Sequence, residues 1–198
     1  RPPVFVGTPP NQTNSALTTF TISDPATDPD IPPNPLSYAV LNPPPGMVED
    51  PLTGVITWTP TATQTGIFVI TNIVTDTNAY DIQGNNALSA TNFCTLVVNP
   101  AIMPYVFTQP AQAVTLTSAK LNGMATPNGL PAIAWFEWGT NTAYGNSTAP
   151  QVIGNGYNVV YATTTISGLS SNVPYHYRLV SSNVVGIAYG FDQIFDEA

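Results

Sequence analysis

The sequence predicts an all-β protein made of two β-sandwiches in tandem, and three observations carry that prediction. Apolar residues alternate or fall in short blocks, and no stretch repeats them at helical spacing. Proline, glycine or Asn-Gly signals interrupt the chain roughly every ten residues, the rhythm of short strands and turns. The palette is Thr, Asn, Ser and Pro interleaved with Val, Ile, Tyr and Phe, which suits strands and the turns between them.

In the first half, strands are expected near residues 4–6, 16–22, 36–41, 55–59, 66–75 and 90–98. In Thr19-Phe20-Thr21-Ile22 the two apolar residues share a face, so they point to a core while the threonines face water. Pro43-Pro44-Pro45-Gly46 cannot join a central ladder, because proline has no N–H to donate, and is read as a turn or an edge. Asn99-Pro100-Ala101-Ile102-Met103-Pro104 is a Pro-bounded, rather stiff junction, which divides the chain into residues 1–102 and 103–198. In the second half, strands are expected near 113–125, 132–138, 161–166, 174–182 and 186–195, with Tyr175, Tyr177 and Leu179 on one face.

Composition excludes several function classes. Of 198 residues, three are Lys or Arg and eleven are Asp or Glu. Charged residues are 7% of the chain, against about 25% in an average domain. Three basic residues cannot neutralise a phosphate backbone, so nucleic acid is not an expected partner. No apolar run reaches the ~20 residues of a membrane helix. One cysteine, Cys94, rules out an intramolecular disulfide, and one histidine, His176, leaves little for a metal site or a triad. Arg1-Pro2-Pro3 opens directly into turn chemistry, so either a leader has been removed or the segment is internal. With so few charges, solubility rests on the net charge of -8 and on neutral hydroxyl and amide groups, or else the surface is made to associate.

A series of residues runs through the first half. Pro2-Pro3-Val4-Phe5 opens it, followed by Asn11-Gln12-Thr13, Phe20-Thr21-Ile22 and Ala26-Thr27-Asp28-Pro29-Asp30. Leu36-Ser37-Tyr38 and Asn42-Pro43-Pro44-Pro45-Gly46 come next, then the run from Asp50-Pro51 through Thr57-Trp58-Thr59-Pro60-Thr61, Gly66-Ile67-Phe68 and Val74-Thr75-Asp76. In order and spacing this series resembles the bacterial cadherin-like, dystroglycan-type, Ig-like repeat. The resemblance implies a seven-strand Greek-key sandwich used as a repeated module of large secreted or surface proteins. Residues from about 105 onward resemble a fibronectin type III-like module, on Leu121-Asn122-Gly123, Pro127-Asn128-Gly129, Trp135-Phe136-Glu137-Trp138-Gly139-Thr140 and Tyr175-His176-Tyr177-Arg178-Leu179-Val180. Leu169 and Tyr175 have the spacing of the tyrosine-corner segment, in which the hydroxyl bonds to backbone. The family's usual Pro and Thr between them are replaced by Ser171 and Val173.

The cadherin resemblance implies a calcium site. Asp28 and Asp30 match the Asp-x-Asp pair and Asp76 the later acid, and carboxylate oxygens are what calcium takes. The family's acid after the first strand is replaced by Asn14-Ser15-Ala16, and the junction at Asn99-Pro100 lacks acids, so completion calls for a neighbouring module. The competing reading makes Asp28-Pro29-Asp30 a turn with Asx hydrogen bonds.

Asp24, Glu49 and Asp50 read as turn residues, and Glu49-Asp50 as a solvated turn. His176 is expected to face outward with no Asp to orient it, and Lys120 to face outward between inward-facing Ala119 and Leu121. Cys94 shares a face with Leu96 and Val98 and reads as a buried thiol; an intermolecular disulfide is the alternative. Phe136 and Trp138 share one face and Trp135 the other, which offers Trp135 either as an aromatic platform or as packing against a neighbour. Asn11-Gln12-Thr13 and Asn146-Ser147-Thr148 are sequons with meaning only in a glycosylating host. Val4, Phe5 and Val6 form a short apolar strand able to add to a neighbouring subunit.

The expectation is a non-enzymatic structural or adhesive module of a secreted or cell-surface protein, a stalk segment or a self-assembling fibre subunit. Its partners are neighbouring copies or adjacent modules, and no cofactor is required unless calcium stiffens it. The alternatives are a polysaccharide-binding accessory pair of an extracellular hydrolase, and a calcium-stiffened adhesin segment that contacts a cell-surface protein.

Overall fold

The computed structural model describes residues 1–77 and 87–196. The chain divides into two compact units, Arg1–Pro100 and Ala101–Ala198.

The first unit carries β1 (Val4–Phe5), β2 (Gln12–Ser15), β3 (Phe20–Ser23), β4 (Ala26–Thr27), β5 (Leu36–Leu41), β6 (Val48–Glu49), β7 (Val55–Trp58), β8 (Gly66–Asp76) and β9 (Ser89–Asn99). A four-stranded sheet in the order β2-β9-β8-β5 faces a three-stranded sheet in the order β3-β7-β6, and β1 pairs with β4 as a ribbon. Strand β2 runs parallel to β9, whereas the other pairings are antiparallel. Alternation places Phe20, Ile22, Ile56 and Trp58 of the smaller sheet in the core with Ile70, Val74, Cys94, Leu96 and Val98 of the larger. The Trp58 ring lies 6.0 Å from Phe20 and 4.8 Å from Phe68. Its indole N–H donates to Pro45 O at 3.2 Å, which ties the proline-rich loop to the core. That bond satisfies a donor that burial would otherwise leave without a partner.

The second unit carries β10 (Tyr105–Thr115), β11 (Ser118–Thr126), β12 (Ala132–Gly139), β13 (Asn146–Ser147), β14 (Gln151–Gly154), β15 (Val160–Ser167), β16 (Tyr175–Asn183), β17 (Gly186–Tyr189) and β18 (Gln193–Phe195). Sheet β10-β11-β15 faces a sheet built on β13-β12-β16-β17, with β14 beside β12 and β18 beside β16. Leu121, Ala162 and Ile166 from one side meet Phe136, Tyr177 and Leu179 from the other. The Tyr175 hydroxyl accepts the Ser170 N–H at 3.0 Å, the backbone bond expected of that tyrosine.

Three expected strands differ from those observed. Residues 16–22 do not form one strand. Leu17 takes φ 68 and donates its N–H to Pro60 O, so β3 begins at Phe20. Residues 113–125 are interrupted by a hairpin that pairs Thr115 with Ser118 and leaves Leu116 and Thr117 at its tip. Its first arm, β10, escapes a search for alternation because most of its residues are exposed or polar. Residues 186–195 break at Gly190, whose N–H bonds Leu179 O and whose missing Cβ would collide with Thr108 Oγ1.

Candidate functional site

Asp28 follows β4 and Asp76 ends β8, so pairing within the first unit gathers the acids that the sequence separates. One carboxylate oxygen from each of Asp28, Asp30 and Asp76 lies within 4.8 Å of the others. Asp28 Oδ1 accepts the N–H of Asp30 at 2.8 Å and of Asn34 at 3.2 Å, the Asx geometry of a turn. Asp30 Oδ2 accepts Asn34 Nδ2 at 3.2 Å and the α-ammonium of Arg1 at 2.8 Å. The bond to Asp30 raises the pKa of that ammonium, and the charges of Asp30, Asp76 and Asp28 add to the effect. Asp76 is buried and Oδ1 accepts the Leu88 N–H at 2.6 Å. The residues fit a hard cation on one further observation: Asp28 Oδ2 is buried with no hydrogen-bond partner.

A second acidic cluster lies inside the same sandwich, and here the reading of Glu49 as a solvated turn residue is corrected. Glu49 pairs with Ile56, a fully buried residue, so alternation turns it to the core face of β6. Both of its carboxylate oxygens are buried without a hydrogen-bond partner. Burial, and then the charge of Asp24, push its pKa up to about 7, an effect that the nearby Asn72 amide and Val40 backbone only partly offset. Asp24 is likewise buried rather than in an open turn. It accepts Asn72 Nδ2 at 3.2 Å and Asn92 Nδ2 at 2.9 Å. Asn72 and Asn92 stand opposite each other on β8 and β9, so a single register brings both amides to one carboxylate. Asn72 Oδ1 remains buried and unpartnered. The sequence signal was present: Asn72 falls at an inward position between Ile70 and Val74, where an apolar residue belongs.

In the second unit the outward face of β12 and β16 carries a polar group. Arg178 binds Glu137 Oε2 through Nε at 2.8 Å and through a terminal nitrogen at 2.7 Å. Its guanidinium carbon lies 4.7 Å from the Tyr144 ring centre and 4.2 Å from that of Tyr189. Glu137, Tyr144, Asn146 and Arg178 line a polar recess of about 380 Å³. His176 does have an orienting acid, contrary to expectation: Nδ1 is 2.7 Å from Asp192 Oδ2, and Tyr144 donates its hydroxyl to Asp192 Oδ1 at 3.1 Å. Asp192 lies sixteen residues beyond His176, too far for sequence spacing to pair them. Trp135 is half-buried opposite Val180 on this face, while Phe136 is buried and Trp138 packs against the core.

Val4 and Phe5 pair within their own unit, with Thr27 and Ala26, and Val6 donates its N–H to Pro25 O. Val4 and Val6 keep exposed side chains. Lys120 is half-buried between buried Ala119 and Leu121, and Cys94 is buried with its thiol pKa raised by burial and by Asp24.

Residues 2–99 match the family model He_PIG, described as "Putative Ig domain". The first unit is similar to that Ig-domain family. The chain shares 16% identity with the immunoglobulin domains 1-5 of Sidekick-1, with a TM-score of 0.50, over 96% of this chain and 38% of that one. That likeness shows an Ig-like all-β fold. Mouse cadherin-23 EC22-24 is 14% identical with a TM-score of 0.41, over 98% of this chain and 62% of that one. The chain thus spans less than two thirds of the length of either structure. No curated protein sequence matches the chain. Among the described residues no helix is long and apolar enough to cross a membrane.

Proposed function

We propose that this chain is a non-enzymatic structural or adhesive segment of a secreted or cell-surface protein: an Ig-like module followed by a fibronectin type III-like one, with the boundary near residue 102. One observation carries the reading. The outward face of the β9-β8-β5 sheet presents Ile67, Val69 and Phe93 to solvent at 72%, 65% and 64% exposure, with hydroxyl and amide groups around them and almost no charge. Such a face favours contact with a neighbouring module or copy over repulsion. Negative-stain electron microscopy with light scattering on the same sample tests this. Regular filaments assign a fibre subunit, and dispersed monomers assign a stalk or accessory segment. A hydrolytic activity that survives purification to homogeneity overturns both.

A second reading, calcium stiffening at Asp28, Asp30 and Asp76, is favoured by the convergence of three carboxylates and the partnerless Asp28 Oδ2. Calcium there lowers the mutual repulsion of three acids and joins β4 to the end of β8. The melting temperature is expected to rise with millimolar calcium and to return with EDTA. The same temperature in both solutions removes this reading.

A further inference from the structure

The interior of the first sandwich poses an electrostatic problem that its hydrogen bonds leave unsolved. Asp24 and Glu49 bring two carboxyl groups between the sheets, and the exposure of Asp24 is 2%. The chain has only three basic side chains, Arg1, Lys120 and Arg178. Among the described residues no salt bridge reaches Asp24 or Glu49. Asp24 accepts two asparagine amides, whereas neither carboxylate oxygen of Glu49 has a well-formed hydrogen bond and only the nearby Asn72 amide and Val40 backbone favour its charge. Three orphaned oxygens therefore share one buried region: Oε1 and Oε2 of Glu49 and Oδ1 of Asn72. Native interiors rarely leave such atoms without a partner, because each costs roughly 1–3 kcal/mol.

We propose that this region is a second cation site, built from Asp24, Glu49 and Asn72 and suited to calcium. It is separate from the Asp28, Asp30 and Asp76 cluster and does not depend on it.

The donor chemistry supports the choice of ion. Calcium takes carboxylate and amide-carbonyl oxygens with flexible geometry, whereas magnesium gives up its waters reluctantly and suits a dry core poorly. The Asn72 amide already lies against Asp24, with Nδ2 at 3.2 Å from Oδ2. Rotating that amide end for end presents Oδ1 to the carboxylates instead, which completes a set made of oxygen alone. Two ionised carboxylates match the charge of one divalent ion. Glu49 lies on β6, the outermost strand of the smaller sheet.

The test is calorimetric titration of calcium chloride into the chelator-stripped full chain at pH 7.5. Four proteins are compared: wild type, Glu49→Gln, Asn72→Leu and the double variant Asp28→Asn with Asp30→Asn. The double variant is expected to keep one calcium equivalent of the wild-type binding. Glu49→Gln is expected to lose one equivalent while melting no lower than wild type in EDTA, since Gln keeps the shape and removes the buried charge. Asn72→Leu, an apolar replacement of similar size, is expected to weaken the same equivalent at least tenfold. Unchanged stoichiometry and affinity in Glu49→Gln overturn the proposal. So does a double variant that binds no calcium, a result that leaves the cluster of Asp28, Asp30 and Asp76 as the source of all binding.

Discussion

Asp24 accepts a side-chain amide from Asn72, forty-eight residues away in sequence, at 3.2 Å inside the first sandwich. The bond places a carboxylate on the core side of β8, and Glu49 enters the same region from β6. The interior of this unit therefore holds buried acids at two places, Asp24 with Glu49 and Asp76 at the end of β8, within a core that is otherwise mainly apolar.

The pH dependence of stability follows from Glu49. Its pKa is about 7 in the folded chain and 4.5 as an ordinary glutamate, so the folded state holds the proton more tightly. This stabilisation is complete below pH 4.5 and is lost as pH rises to about 7. After allowance for partial solvent contact the loss is about 1–2 kcal/mol. Urea melts in EDTA between pH 4 and 8 are expected to show that decline in wild type and most of it gone in Glu49→Gln. A Glu49→Gln profile parallel to wild type counts against the buried carboxyl.

Trp58 is the largest fully buried side chain of the first unit and touches Phe20 and Phe68 on either side. Trp58→Ala is expected to cost about 3–5 kcal/mol through lost burial and the cavity left behind. Denaturant unfolding measures it, and a loss below about 1 kcal/mol refutes this packing.

Arg178 is held by shape as well as charge, since its planar guanidinium lies against two tyrosine rings and one carboxylate. Arg178→Lys keeps the charge but loses the stacking and the forked contact. A destabilisation of about 1–2 kcal/mol is expected in thermal melts. An unchanged melting temperature shows that the stacking contributes nothing measurable.

Cys94 is 3% exposed, and its thiol pKa is raised by burial and by Asp24. A thiol reagent at pH 8 is expected to modify it only after denaturant is added. Rapid labelling of the native chain contradicts this burial.

The order and character of the strands were legible because they rest on local pattern. Alternation alone turns Phe20 and Ile22, or Tyr175, Tyr177 and Leu179, toward a core, and all five are buried. The hairpin at Leu116–Thr117 and the break at Gly190 were not legible, because most of β10 is exposed or polar and Gly190 is fixed by long-range contacts with Thr108 and Leu179. The grouping of Asp28, Asp30 and Asp76 was read through family resemblance, and their short separations depend on where β8 ends. The pairing of His176 with Asp192, and of Arg178 with Tyr144 and Tyr189, left no trace in sequence spacing.

By itself the sequence determined an all-β chain with a sparse, acidic surface, because periodicity, turn residues and charge count act locally or by sum. Only the tertiary structure decided which acids are buried and what they meet. Glu49 follows an exposed valine in a segment that reads as a turn, yet the pairing of β6 with β7 places it opposite Ile56 and therefore inside. A one-residue slip of that register turns the same side chain to water. The fate of that charge thus rests on a long-range pairing that no local pattern records.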